Sequence, residues 1–368
     1  LPLMSRRFVT LLPRLNAGNS FLRTAHFMNN RIYPAGTAIL APLAGHTDLP
    51  MRLSARRHGC RYAFTEMVDA GSLVFGNRKT MNLIKRDPSE DFLGIQLVGS
   101  EPEILKKAVE IINGLDFSVL DFNLGCPAPK VAKKGEGATF VVRRPDQAIE
   151  AFSILAEHSK IPVTAKMRIL DENDPAPTVE FAKRLENAGA KTVTIHGRLM
   201  KMFYSGPVFH EIIKEVRKNL SIPVVANGGA LSAALYRTLV TGSGCENGMV
   251  ARGALGNPWI FREIADPYAG PPTLEELAEE MQLHFYSIID FYGEETALRI
   301  SRKTILEYLR GRGFPGELRA SVSFLNTVDA FKALMLEVRK GPSPRYWQTL
   351  EQNPAQERRL ARRQPHPA

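Results

Sequence analysis

The chain has 368 residues, 44% of them hydrophobic, with 48 Lys and Arg against 38 Asp and Glu and a formal charge of +10. That is enough apolar material for one large core and a smaller satellite, and no run approaches the roughly 20 unbroken apolar residues of a membrane span, so a soluble, non-membrane protein is expected. Cys60, Cys126 and Cys245 stand far apart with no CxxC, which argues against a disulfide framework and a zinc site and fits a reducing cytoplasm with no metal.

In chain order, residues 1–47 hold no Asp or Glu but carry Arg6, Arg7, Arg14, Arg23 and Arg31. Residues 1–33 read as a basic leader, with a transit peptide, a nucleic-acid arm and translated sequence upstream of Met4 or Met28 all open. From 38 to 265, short apolar runs alternate with amphipathic stretches about a dozen residues long, the signature of repeated βα units. Strands are expected at Ala38 to Leu40, Tyr62 to Phe64, Phe92 to Leu97, Ser118 to Phe122, Pro162 to Lys166, Thr192 to Ile195, Pro223 to Ala226 and Gly248 to Ala251. Helices are expected at Glu103 to Asn113, Pro145 to His158, Thr178 to Ala188, Phe209 to Lys218 and Ser232 to Thr241. Eight such units over about 230 residues match a (β/α)8 TIM barrel, placed at 34–268. A doubly wound sheet is the runner-up, but no GxGxxG opens the first helix.

After Pro267 to Pro272 the strand pattern ends. Thr273 reads as an N-cap, with Glu275 and Glu276 in the first turn, and opens an all-α domain at 273–340. Its Arg299, Arg302, Lys303, Arg310, Arg312, Arg319, Lys332, Arg339 and Lys340 either coat solvated helix faces or face a nucleic acid. The overall basic excess points to a polyanionic partner, because cations that neutralise phosphates release counterions. Residues 341–368, with Arg358, Arg359, Arg362 and Arg363, read as a frayed basic tail.

In such a barrel the loops after the strand C-termini carry the chemistry. Cys126 stands where the apolar run Phe117 to Phe122 stops at Asn123, Gly125 and Pro127. It is inert core material or a reactive thiol. The other strand ends supply Ala41, Pro42 and Leu43, then Glu66, Gln96, Lys166 with Arg168, and His196 with Arg198. Asn227-Gly228-Gly229 and Ala251-Arg252-Gly253 follow strands seven and eight, where glycine-rich turns hold phosphate through backbone N–H groups, with Arg252 adding a charge-assisted bond. A phosphate there, with Gln96 and Lys166 on the axis and no adenine fingerprint, suggests flavin mononucleotide (FMN). Gln96 offers a donor and an acceptor to a ring edge, and Lys166 would stabilise negative charge on the reduced ring. His196 is a satisfied core histidine or a donor to cofactor or substrate.

With these residues on the page, the chain resembles the tRNA-dihydrouridine synthase family from about 37 to 325. The carriers are Ala41 to Gly45 with Thr47-Asp48, Thr65-Glu66-Met67, Gln96-Leu97, Asn123 to Pro127 with Lys130 and Gly135 to Ala138, Lys166 to Arg168, and His196 to Arg198. Tyr204 to Gly206, Asn227 to Gly229 and Ala251 to Phe261 complete the barrel's share. Arg302-Lys303, Tyr308-Leu309 and Phe314 to Gly316 resemble the family's tRNA-gripping domain. The resemblance implies that reduced FMN delivers hydride to uracil C6 while Cys126, as general acid, protonates C5 from the opposite face. It further implies that Asn123, Arg168 and Arg198 approach the substrate, that NADPH or NADH reloads the flavin, and that a cytoplasmic monomer acts on tRNA whose target base leaves its stack. This role needs a protonated thiol, unlike that of a nucleophilic cysteine.

The chain departs from the family pattern at Leu43, His46 and Ala251, and most at Leu199 to Phe203, where Lys201 stands one position after the expected arginine. The alternatives are another FMN barrel acting on a small molecule, which needs no basic helical appendage, and a non-catalytic RNA-binding homologue.

Overall fold

A computed structural model describes residues 31–343. Eight strands alternate with helices: β1 (Ala38–Leu40), β2 (Tyr62–Asp69), β3 (Leu93–Val98), β4 (Val119–Leu124), β5 (Val163–Arg168), β6 (Val193–His196), β7 (Val224–Asn227) and β8 (Asn247–Val250). Each pairs in parallel with the next, and β8 closes on β1 through Ala38 with Gly248, Ile39 with Met249 and Leu40 with Val250. The chain is a closed (β/α)8 barrel, as the sequence pattern predicts. The strands read as near-continuous apolar runs because both faces are covered: one by the barrel interior, one by helices.

The barrel helices are α1 (Leu49–Arg57), α2 (Ala70–Val74), α3 (Arg78–Leu83), α4 (Pro102–Ile112), α5 (Pro129–Lys133), α6 (Ala138–Arg143), α7 (Pro145–His158), α8 (Ala176–Asn187), α9 (His210–Asn219), α10 (Ala233–Ser243) and α11 (Ile260–Ala265). In α4, Leu105, Ala108, Val109 and Ile112 fall at helical spacing and are all buried against the sheet. Inside the barrel, Ile39, Phe64, Val119, Val225 and Met249 form a separate apolar cluster with Ile32 and Tyr33. Tyr33 packs edge-on to Tyr62 at 5.5 Å and to Phe92 at 5.7 Å, so the residues just before β1 belong to the barrel's packing. Residues 1–30 of the expected leader, and 344–368 of the expected tail, lie outside the described residues.

The chain continues as α12 (Leu274–Tyr292), α13 (Glu294–Leu309), α14 (Gly316–Ser321) and α15 (Val328–Arg339). Thr273 caps α12 in a reciprocal box with Glu276, as the sequence suggests. These helices share an apolar cluster that includes Met281, Phe285, Ile305, Tyr308 and Phe331, with Trp259 of the last barrel loop buried in it. The approach is close: at Gly256, with φ +60, an added Cβ would lie 2.2 Å from the Glu307 carbonyl carbon in α13. Only glycine fits there.

A polar latch spans the same seam. Glu280 of α12 accepts from Ser54 Oγ at 2.6 Å, from Arg57 at 2.7 and 2.9 Å, and pairs with His58 Nε2 at 3.0 Å, all on or next to α1. Tyr308 OH extends the network to Ser54 Oγ at 3.1 Å and to His284 Nδ1 at 3.0 Å. Among the described residues, no helix is long and apolar enough to cross a membrane.

Candidate active site

The strand C-termini open into one cleft. Its lining includes Ala41, Pro42, Leu43, Gln96, Asn123, Cys126, Lys166, Arg168, His196, Arg198, Asn227, Gly228, Gly229, Ala251 and Arg252. These are the residues singled out from the sequence, apart from Glu66, Gly253 and Lys201. Lys201 lines a neighbouring cavity between the loops after β5 and β6, and pairs with Glu172 at 3.2 Å. Met67, Met249 and Tyr204, to which the sequence pattern assigns no role, also line the cleft. Tyr204 lies against two cations, with the Arg168 guanidinium 5.8 Å and the Arg252 guanidinium 5.2 Å from its ring centre.

Cys126 sits on a turn held from within. Asn123 Oδ1 accepts from the N–H of Gly125 at 3.1 Å and of Cys126 at 2.9 Å. Asn123 Nδ2 donates to Gln96 Oε1 at 2.7 Å, and Gln96 Nε2 donates to Asp121 Oδ2 at 2.7 Å. Burial pushes the Cys126 thiol up from its ordinary pKa, against weaker opposing pulls from an Ala128 N–H, Arg168 and Lys166. The thiol is therefore protonated at neutral pH. Cys60 and Cys245 are buried, 1% and 3% exposed, so Cys126 is the accessible thiol among the described residues.

Four cations ring the mouth, and none makes a salt bridge to a carboxylate among the described residues, although the buried Asp121 charge acts on Lys166. Lys166 Nζ donates to Asn227 Oδ1 at 3.0 Å, and Asn227 Nδ2 donates in turn to the Met249 carbonyl at 2.9 Å. Arg168 donates to the carbonyls of Gly125 at 2.8 Å and Leu199 at 3.0 Å. Arg198 donates to the Gly206 carbonyl at 3.0 and 3.2 Å, and Arg252 to that of Tyr204 at 3.1 Å. These bonds tie the Leu199 to Gly206 loop after β6 to the ends of β5 and β8. Burial, with repulsion from Arg168, brings Lys166 down to about 8, and burial brings Arg168 down to about 10. His196 is driven well below its ordinary value by burial and then by all four cations, so its imidazole is neutral. A set of desolvated cations facing one cleft makes its potential positive and favours negative charge there.

The turn after β7 suits such an anion. Gly228 has φ +123 and Gly229 φ +72, a backbone that L side chains rarely adopt, and a Cβ on Gly228 would lie 3.0 Å from the His196 ring. The Ala41 to Gly45 loop after β1 forms a further part of the wall. Glu66, buried, accepts from the Gly45 N–H, and Lys303 of α13 donates to the Gly45 carbonyl, so the helical segment reaches the mouth at this point.

Fold and geometry define a (β/α)8-barrel protein with a cation-lined cleft and one accessible thiol at its strand ends. A family model for dihydrouridine synthase (Dus) matches residues 39–339. A probable tRNA-dihydrouridine synthase of Rickettsia conorii is 34% identical over 309 residues, covering 81% of this chain and 92% of that protein. A tRNA-dihydrouridine synthase B of Pasteurella multocida is 32% identical over 289 residues, covering 77% and 85%. Among solved structures, histamine dehydrogenase from Rhizobium sp. 4-9 overlays with a TM-score of 0.46 at 14% identity, over 62% of this chain and 45% of that one. The chain belongs to the dihydrouridine synthase family.

Proposed function

We propose that this protein is a flavin-dependent tRNA-dihydrouridine synthase, reducing the C5–C6 double bond of uridine in tRNA with FMN as cofactor and NADPH or NADH as reductant. The observation that carries the reading is the pairing, in one cleft, of a thiol held protonated with four cations that make no salt bridge to a carboxylate. The residues present fit a flavin mononucleotide: Gly228, Gly229 and Arg252 would hold its phosphate, and Ala41, Pro42, Leu43, Gln96, Lys166, His196, Asn227 and Ala251 its ring and ribityl chain. When bound, the flavin supplies the hydride for uracil C6.

The chain's own residues do the rest. Cys126 gives its thiol proton to C5, leaving a thiolate that solvent reprotonates, so hydride and proton together complete dihydrouracil. Burial keeps that proton in place until the transfer, which suits a donor and would hamper a nucleophile. Asn123 holds the Cys126 turn and one edge of the base. Arg168 and Arg198, fixed to backbone carbonyls, present the rest of their guanidinium N–H groups to phosphate or base. The neutral His196 can donate one hydrogen bond without adding charge. Residues 34–268 carry the chemistry, and the basic helices of 273–340 grip the tRNA. Their support is the Lys303 contact with the cofactor loop, which puts that segment beside the mouth.

Cys126→Ala decides this assignment. It is expected to keep flavin and NADPH oxidation while uridine reduction on tRNA falls by about 10²–10⁴-fold, the range for losing a general acid. Dihydrouridine formation at the wild-type rate would refute it.

A further inference from the structure

Asp121 of β4 is 2% exposed, deep in the barrel below the cleft. Its Oδ1 accepts from Thr164 Oγ1 at 2.7 Å and its Oδ2 from Gln96 Nε2 at 2.7 Å. We infer that Asp121 is a positioning residue for the proton donor: its carboxylate fixes the direction of a hydrogen-bond chain that runs through Gln96 and Asn123 and ends on the backbone of Cys126. The inference rests on the proposed role of Cys126 and says how its turn is held.

The direction is determined from both ends. A carboxylate without its proton only accepts, so the Gln96 amide must turn its NH2 toward Asp121 and its oxygen toward Asn123. At the far end the N–H groups of Gly125 and Cys126 only donate, so Asn123 must turn its oxygen to them and its NH2 to Gln96. Both demands agree, and the chain has no mismatched link. Gln96 is fully buried and spends one N–H and one lone pair here, leaving one of each for a ligand. Reversing either amide would set NH2 against NH2, or an amide NH2 against a backbone N–H, inside the barrel, where unsatisfied groups are most costly.

Burial lifts Asp121 to about 6, against hydrogen bonds from Gln96 and Thr164 and the charge of Lys166, so it is ionised at neutral pH. When it does take a proton, Oδ1 is the position that keeps the chain intact, because the Thr164 hydroxyl can reverse and accept. The amide of Asn is tolerated for the same reason: its oxygen can face Gln96 and its NH2 face Thr164. Leu, of similar volume, offers no acceptor.

The test compares Asp121→Leu with Asp121→Asn in flavin-loaded protein. The first readout needs no RNA: the rate at which iodoacetamide alkylates Cys126, followed by mass spectrometry, with Cys60 and Cys245 too buried to compete. Asp121→Leu is expected to speed alkylation on the order of tenfold as the turn loosens, and Asp121→Asn to stay within about twofold of wild type, the difference between losing and keeping one buried hydrogen bond. The second readout is single-turnover uridine reduction at saturating tRNA, which should fall in Asp121→Leu and recover in Asp121→Asn. Wild-type alkylation in a folded Asp121→Leu protein overturns the inference. So does an Asp121→Asn protein as altered as Asp121→Leu, which would make the charge, not the acceptor, the essential feature. If Asp121→Leu does not fold, Asp121→Asn decides alone: near-wild-type behaviour supports the chain, and a disturbed Cys126 refutes it. A wild-type protein that reduces no uridine would count against the function proposed above, while alkylation would still decide what holds the turn.

Discussion

The barrel mouth and the seam beneath the helical segment both bury charge, and they treat it in opposite ways. At the seam Glu280 is wrapped by Ser54, Arg57 and His58, and deeper in the barrel wall Arg52 and Glu90 pair at 2.8 Å with neither side chain exposed. At the mouth Lys166, Arg168, Arg198 and Arg252 find only carbonyl oxygens and an amide oxygen. A paired buried charge costs little further and fixes geometry, whereas an unpaired one is held at a cost that the rest of the fold must offset. Pairing thus separates architecture from function within one chain. The helices are locked on by charges in salt bridges, and the cleft is lined by cations that hydrogen-bond only to neutral oxygens.

The seam gives the larger effect on stability. Glu280→Ala should destabilise the fold by about 3–5 kcal/mol, the usual penalty for removing one partner of a buried ion pair, measured by denaturant unfolding. Flavin retained per folded molecule should not change. A loss below about 1 kcal/mol would place the latch among weak surface pairs and break the comparison. Acid sharpens the point. Burial alone would lift Glu280, but hydrogen bonds from His58 and Arg57 outweigh it and hold the carboxyl at about 2 against an ordinary 4.5. Its folded value is depressed, so its stabilisation is full above pH 4.5 and is lost as pH falls toward 2. His284, neutral by burial, sits at about 4 against 6.5. The unfolded chain binds that proton first, so stability should already decline as pH falls from 6.5 to 4. Glu280→Ala should abolish the lower stage and, because the Glu280 charge holds His284 up, deepen the upper one.

Most strand boundaries and those of the five expected barrel helices are legible in the sequence to within a few residues, because a barrel buried on both faces writes itself as apolar runs separated by amphipathic ones; β2 instead runs on to Asp69, and α1, α2, α3, α5, α6 and α11 have no counterpart among the expected helices. The glycine turns and Cys126 were legible because they break those runs. What escaped depends on partners far along the chain. Asp121 hides in Val119 to Phe122 as one polar letter in a core strand; the signal was its inward register, two residues before Asn123, which lines the cleft. Glu280 is one of six glutamates between 275 and 295, and only the buried stripe of Leu277, Met281 and His284 marks it as facing inward. Its partners lie more than 200 positions away. Tyr33 was assigned to the leader because no local pattern says that an aromatic before β1 packs with the barrel.

At the mouth, Arg252→Ala is expected to weaken flavin binding by roughly 10- to 100-fold, as for losing a charge-assisted hydrogen bond to phosphate. Stability of the flavin-free protein should stay level or rise, since a part-buried cation without a salt bridge is removed. Titration of released flavin and thermal unfolding of the apoprotein give the two numbers. Weaker flavin binding together with a marked fall in apoprotein stability would mean that Arg252 serves the fold, and the contrast with Glu280 would dissolve.

The smallest effect belongs to Lys201, the one expected substrate residue that the fold places outside the cleft. Its side chain is 70% exposed and its pair with Glu172 lies at the surface. Such pairs contribute about 0–1 kcal/mol, so Lys201→Ala should leave stability and flavin affinity unchanged within that margin. If the cation helps to position RNA, it does so through a screened phosphate contact, and its loss should lower kcat/KM for tRNA uniformly and flatten the salt dependence by about one counterion. A collapse of turnover in Lys201→Ala with normal salt dependence would instead mean that the loop closes over the cleft when RNA binds, bringing a rim cation into the group that already includes Arg168 and Arg198.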